Sequence, residues 1–134
     1  MNTEMIGKTW DSLGDRHMEM VKTFYNRFFD RYPHYRSLFP DSIDRQMKKM
    51  VQTMAMVSRL SDADYIIETH MLHVGEKHRD YQLKPEDLEH FKGVFLEVLG
   101  EYCGDGWSDQ CAQAWNEAFD QVIVPLMMQG LRAH

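Results

Sequence analysis

Two cysteines in 134 residues are too few for a disulfide scaffold and fit a reducing, cytoplasmic compartment. Four prolines and eight glycines are too few for a collagen-like or low-complexity chain. Positive charge is also short: 15 Lys and Arg face 21 Asp and Glu, a net of −6. A nucleic-acid or anionic-membrane partner draws on an excess of Lys and Arg, so neither is expected. No apolar run reaches the length of a membrane span. The N-terminal stretch up to His17 lacks the apolar centre of a secretory signal. The length suits one domain over residues 1–134, large enough to bury a core without staples.

What is abundant is soft, aromatic and imidazole-bearing: 11 Met, 7 His, 3 Trp, 6 Tyr and 7 Phe. Nearly every segment has helical period and none alternates like a strand, so the expected fold is all-α with about seven helices. The first begins near Thr3, with Ile6, Trp10 and Leu13 on one face. A second runs from about Asp15 to Tyr32, with Val21, Phe24, Tyr25, Phe28, Phe29 and Tyr32 inward. Pro33 suits the first turn of a short third helix, and Pro40 closes it. From about Ile43 to Leu60, Met47, Met50, Val51, Met54 and Val57 make a narrow apolar stripe. Ser61 caps a helix running to about His78, and Lys84-Pro85-Glu86-Asp87 opens the next. Gly104-Asp105-Gly106 is a turn, Ser108 caps the last helix, and Pro125 should bend or end it.

The histidines are the first candidates for chemistry. His70, His73 and His78 cluster, but at about 100° per residue His73 and His78 lie roughly 140° apart on a helix. They cannot converge on one zinc ion while the segment stays helical, and no His-Glu-x-x-His run is present. A di-iron bundle needs two Glu-x-x-His pairs; the nearest pattern, Asp87-x-x-His90, occurs once. Six of the seven histidines read as surface or core-edge residues. His78 differs, because it ends a helix before a Lys-Pro break, where a single axial histidine between apolar walls would suit a haem.

Phe24 to Phe29, Pro33, Leu38-Phe39, Asp44-Arg45-Gln46, Val74 to His78, Tyr81 to Glu86 and Ala114-Trp115 follow one another in an order that resembles a bacterial globin, either free-standing or as the haem domain of a flavohaemoglobin. Phe24-Tyr25-Asn26-Arg27-Phe28-Phe29, then Pro33 and Leu38-Phe39, is similar to the second helix, the proline of the third and the phenylalanine that wedges the haem. Asp44-Arg45-Gln46 resembles the start of the distal helix. Val74-Gly75-Glu76-Lys77-His78 and Tyr81-Gln82-Leu83-Lys84-Pro85-Glu86 resemble the proximal helix and the opening of the next. Ala114-Trp115 with Ala118-Phe119 is similar to the final helix. The resemblance runs from about Phe24 to Val124.

It implies a globin fold around one haem b, with His78 as the proximal iron ligand. It puts Phe39 on the haem face, Tyr25 and Gln46 as distal polar residues, and Met50 as the apolar residue over the iron. Lys77 would approach a propionate, and Val74 and Tyr81 would line the proximal side. The loop between Phe39 and Gln46 is shorter than in flavohaemoglobins. Bound dioxygen carries partial negative charge, so donors from Tyr25 and Gln46 would hold it tightly in a dry pocket. Met50 would exclude water without donating a hydrogen bond. The implied function is reversible binding of dioxygen or another diatomic gas.

Two departures from the pattern matter. At the positions where flavohaemoglobins use a tyrosine and a glutamate to hold the proximal histidine, this chain carries Leu88 and Gly130. A less electron-donating histidine favours gas binding over O–O cleavage. With the sequence ending at His134, no flavin or nicotinamide domain is expected, so nitric oxide dioxygenase or peroxidase turnover would need an external reductase. A gas sensor is a third reading. A monomer or weak homodimer is expected; Cys103 and Cys111 flank the glycine turn and could approach across it, with two reduced thiols as the default.

Overall fold

The computed structural model describes residues 2–59 and 84–125. Among them every regular element is helical and none is a strand. Helix α1 (Thr3–Asp11) starts where the Asn2 side chain accepts the Met5 N–H at 3.1 Å. Its buried face is Ile6, Thr9 and Trp10, and Leu13 follows it into the core. Gly14, at φ 61°, then reverses the chain in a conformation that favours glycine.

Helix α2 (His17–Arg31) stops because Pro33 follows: the proline ring keeps Tyr32, at φ −129° and ψ 72°, out of the helical region. A 3-10 segment (Pro33–Leu38) comes next, as the proline signal predicts. Helix α3 (Asp44–Val57) buries Met47, Met50, Met54 and Val57, the expected stripe. Helix α4 (Pro85–Cys103) opens on the Lys84–Pro85 step, where the Asp87 carboxylate accepts the Lys84 N–H at 2.9 Å. It ends at Gly104, φ 57°. Helix α5 (Asp109–Ala118) is capped by Ser108, whose hydroxyl accepts the Cys111 N–H at 3.3 Å. The helix expected between Ser61 and His78 lies outside the described residues.

Pro125 acts differently from a simple bend. The chain widens into a π turn at Phe119–Ile123 just before it. A proline ring collides with the carbonyl four residues back, here Gln121, and widening the helix there relieves the collision.

Helix α2 is central: it packs on α3 and α4, α4 packs on α5, and α1 packs on α5. Its fulcrum is Phe24, whose ring lies 4.8 Å from Phe91, 5.4 Å from Phe28 and 5.8 Å from Phe95. Outside, Arg27 pairs with Glu97 and Glu101, and Arg31 with Glu97. No helix among the described residues is long and apolar enough to cross a membrane.

One buried polar bond ties the ends of the chain together. The Trp115 indole N–H donates to Thr9 Oγ1 at 2.6 Å, and that hydroxyl donates to a carbonyl of its own helix, Met5 at 2.9 Å and Ile6 at 3.0 Å being in reach. Thr9→Val keeps the shape but leaves the indole N–H buried without an acceptor. It should cost about 1–3 kcal/mol in denaturant unfolding. An unchanged midpoint would mean this bond does not hold α1 to α5.

Candidate functional site

Residues 24 and 25 are consecutive, so they point about 100° apart on α2. Phe24 faces α4 and the core. Tyr25 faces α3 and is 1% exposed. Around its ring lie Phe29 at 5.7 Å and Phe39 at 5.8 Å, the latter edge-on at 73°. Phe29 and Phe39 also meet edge-to-face at 5.2 Å. From α3 the Gln46 side chain comes near enough to the Tyr25 hydroxyl to pull its pKa down, the smaller of the two influences on it. Met50, one turn further along α3, is 8% exposed, between Met47 at 9% and Met54 at 2%. Of the residues expected on the distal side, Tyr25, Phe39 and Gln46 come near one another from three elements, and Met50 lies one turn beyond Gln46 in the buried face of α3.

Phe39 owes its position to Arg36. The guanidinium donates to the carbonyls of Phe39 at 3.3 Å, Pro40 at 2.9 Å and Asp41 at 2.8 Å. It also lies 5.4 Å over the Phe29 ring. Arg36 therefore fastens the turn after the 3-10 segment and presses it against α2. No role was read for Arg36 from the sequence; only its proximity to the Leu38-Phe39 motif could have drawn attention to it.

A second polar cluster was missed as well. The Tyr35 hydroxyl donates to Asp87 Oδ1 at 2.5 Å and meets His90 Nδ1 at 2.8 Å. A hydroxyl has one proton, and with that proton on Asp87, His90 Nδ1 must carry its own and donate to Tyr35. The His90 ring stacks on Tyr32 at 4.2 Å, and its Nε2 is 3.9 Å from Glu86. Burial and then the Asp87 carboxylate push the Tyr35 hydroxyl well above the usual phenol range. The Asp87-x-x-His90 spacing was visible, and three residues on a helix share a face. What it meets there is a tyrosine from the 3-10 segment. Among the described residues no group of three or more His, Cys, Asp or Glu side chains could hold a metal ion.

The proximal candidates, Val74, Lys77, His78 and Tyr81, lie outside the described residues. Leu88 is 7% exposed, an apolar side chain in a buried position of α4. Cys103 and Cys111 are free thiols.

The chemistry of the distal set can be stated from its atoms. The Tyr25 phenol and the Gln46 carboxamide both carry hydrogen-bond donors, with the Phe39 ring beside the phenol and the thioether of Met50 one turn beyond Gln46. That is a donor set for a small, partly anionic, oxygen-bearing ligand held away from water. Burial pushes the Tyr25 hydroxyl up to about 12, with the Gln46 contact pulling the other way. It therefore stays a protonated donor throughout the neutral range.

Comparison with known proteins defines the class. Residues 22–126 match the Globin family. The chain belongs to the globin family, haem proteins that bind gaseous ligands. It is 26% identical to neuroglobin of Tetraodon nigroviridis, over 95% of this chain and 88% of that one. It is 24% identical to an anaerobic nitrite reductase of Gossypium hirsutum, over 93% of this chain and 86% of that one. A flavohemoprotein of Halalkalibacterium halodurans is 24% identical over 89% of this chain but only 30% of its own length. In fold, the chain superposes on an engineered carbene transferase built on a candidate nitric oxide dioxygenase of Rhodothermus marinus, with a TM-score of 0.85 and 19% identity over 98% of this chain and 92% of that one.

The buried phenol carries a pH consequence. In the unfolded chain Tyr25 ionises near 10.0, in the folded chain near 12. Its contribution to stability is complete below 10.0 and is lost as pH rises through 12, because the unfolded state releases its proton first. Tyr25→Phe should therefore lose less stability than the wild type across that interval, measured by denaturant midpoints. Parallel losses would contradict a buried Tyr25 hydroxyl.

Proposed function

We propose that this chain holds one haem b and binds dioxygen, or another diatomic gas, reversibly. The observation that carries the reading is the buried Tyr25 hydroxyl near Gln46 and beside Phe39. Haem, when bound, would supply an iron able to take up a diatomic gas. The protein supplies the rest. His78 is the proximal ligand, with its other ring nitrogen donating to a backbone carbonyl, for which Val74 is the candidate. Lys77 approaches a propionate and Tyr81 lines the same side. On the distal side Phe39 packs on the ring, Tyr25 and Gln46 donate to the gas ligand, and Met50 keeps water out. The protein works as a single domain over residues 1–134, as a monomer or weak homodimer in the cytoplasm.

A second reading is nitric oxide dioxygenation with an external reductase. The likeness to flavohemoproteins favours it, the one from Halalkalibacterium halodurans being matched by this chain over 30% of its length. The Tyr25 and Gln46 donors serve that chemistry equally. Leu88 speaks for gas binding first, because at a position where a tyrosine would brace a proximal histidine this chain offers only an apolar side chain.

The test is spectroscopic. The purified chain with added haem should show an intense Soret band, and His78→Gly should lose haem on gel filtration while keeping its helical circular dichroism. A colourless wild type would overturn the haem reading; full haem retention by the variant would remove His78 as the ligand.

A further inference from the structure

A crevice of about 230 Å³ lies apart from the Tyr25 cluster and shares no residue with it. Thr9, Ser12 and Arg16 form one wall, and Tyr102, Cys103 and Cys111 stand on the other side. Both cysteines of the chain are therefore in one place. Cys103 is the last residue of α4, and Cys111 sits in the first turn of α5. Between them the chain turns through Gly104, at φ 57°, and a 3-10 step to Gly106.

Hydrogen bonding shows where the two sulfurs face. Cys103 Sγ lies 3.7 Å from the Thr9 carbonyl and 3.7 Å from Ser12 Oγ. Cys111 Sγ accepts from the Ser108 hydroxyl at 3.3 Å and donates to the Gly106 carbonyl at 3.5 Å. Trp115, one turn beyond Cys111 on the same buried face of α5, donates to the hydroxyl of that same Thr9 at 2.6 Å. Thr9 is thus touched by Cys103 and by the residue stacked one turn from Cys111. The two thiols line a common groove, joined by a glycine-bearing turn that can adjust.

We propose that Cys103 and Cys111 are a redox-active dithiol that closes to an intramolecular disulfide when hydrogen peroxide oxidises it. Cys103, half-buried rather than sealed, is the first to react. Its sulfur attacks one peroxide oxygen, the O–O bond breaks, and the product is a sulfenic acid and one water. Cys111, at 4% exposure, resolves it: its sulfur displaces the hydroxyl, the S–S bond forms, and a second water leaves. The two thiol hydrogens, the two peroxide hydrogens and the two peroxide oxygens are then accounted for as two waters, with the sulfurs oxidised by two electrons and the peroxide reduced by two. Closure takes Cys103 away from Thr9 and Ser12 and links the end of α4 to the start of α5. Burial pushes the Cys103 thiol up, Ser12 pulls it down, Cys111 pushes it up and Arg16 pulls it down; the net is upward. The thiolate is the attacking form, so oxidation should quicken as pH rises above neutrality.

The proposal is independent of the haem reading and is tested on the full chain, with or without haem. Reduced protein treated with hydrogen peroxide should go from two titratable thiols to none. It should stay monomeric, yield a peptide pair linked through Cys103 and Cys111, and recover both thiols with a dithiol reductant. In a glutathione redox buffer the pair should favour the disulfide by about tenfold or more over the same chain in denaturant. Cys103→Ser and Cys111→Ser should each retain one thiol position and form no internal link. Glutathione adducts or linked dimers in place of the internal bond would overturn the proposal. So would a denatured chain that closes as readily as the folded one, and that comparison needs no variant to fold.

Discussion

The structure depends on how α2 (His17–Arg31) uses two neighbouring aromatic residues. Phe24 is fully buried against Phe91 and Phe95 of α4, and this contact fixes the rotation of the helix. Once Phe24 is seated, Tyr25 has no freedom left: it must point towards α3, where Gln46 and Met50 wait. A rotation that released Tyr25 would pull Phe24 out of the core. Fully burying an aromatic ring of this kind contributes about 2–3 kcal/mol. The site geometry is therefore held by the same packing that holds the fold, and a flexible loop has no part in aiming the phenol.

The second anchor is the Tyr35, Asp87 and His90 cluster. It joins the 3-10 segment (Pro33–Leu38) to the first turn of α4. Asp87 has two duties, since one carboxylate oxygen accepts from Tyr35 and the other from the Lys84 N–H. The same carboxylate thus starts α4 and secures the segment that leads into Phe39. Arg36, between Tyr35 and Phe39 in the chain, completes the hold through three backbone carbonyls. Phe39 is fixed from both sides, although the connection that carries it is short and has no α-helix of its own.

Local signals made much of this legible in the sequence. The Lys84-Pro85 step, the Ser108 cap and the methionine stripe of α3 depend only on near neighbours, and the structure has them where the pattern put them. Tyr25, Phe39, Gln46 and Met50 were read through a family resemblance, and the nearness of Tyr25 to Gln46 follows from the packing of α2 on α3. Bonds between distant residues left no trace in periodicity or spacing: Thr9 to Trp115 and Tyr35 to Asp87. The shared groove of Cys103 and Cys111, by contrast, agrees with their places on either side of the glycine turn. The histidines show the limit from the other side. His90 looked like a core-edge residue, which it is, but its stacking on Tyr32 and its bond to Tyr35 depend on the fold. The π turn before Pro125 was likewise beyond a reading that allowed only for a bend or an end.

The central claim is that Tyr25 and Gln46 act together on one gas ligand. It is tested most directly by the dioxygen dissociation rate of the ferrous protein, compared among the wild type, Tyr25→Phe, Gln46→Leu and the double variant. Each single change should speed release by about tenfold, the equivalent of one hydrogen bond of ~1.4 kcal/mol. The double variant should fall short of the product of the two, because each residue positions the other. Release rates unchanged by either substitution would contradict the account.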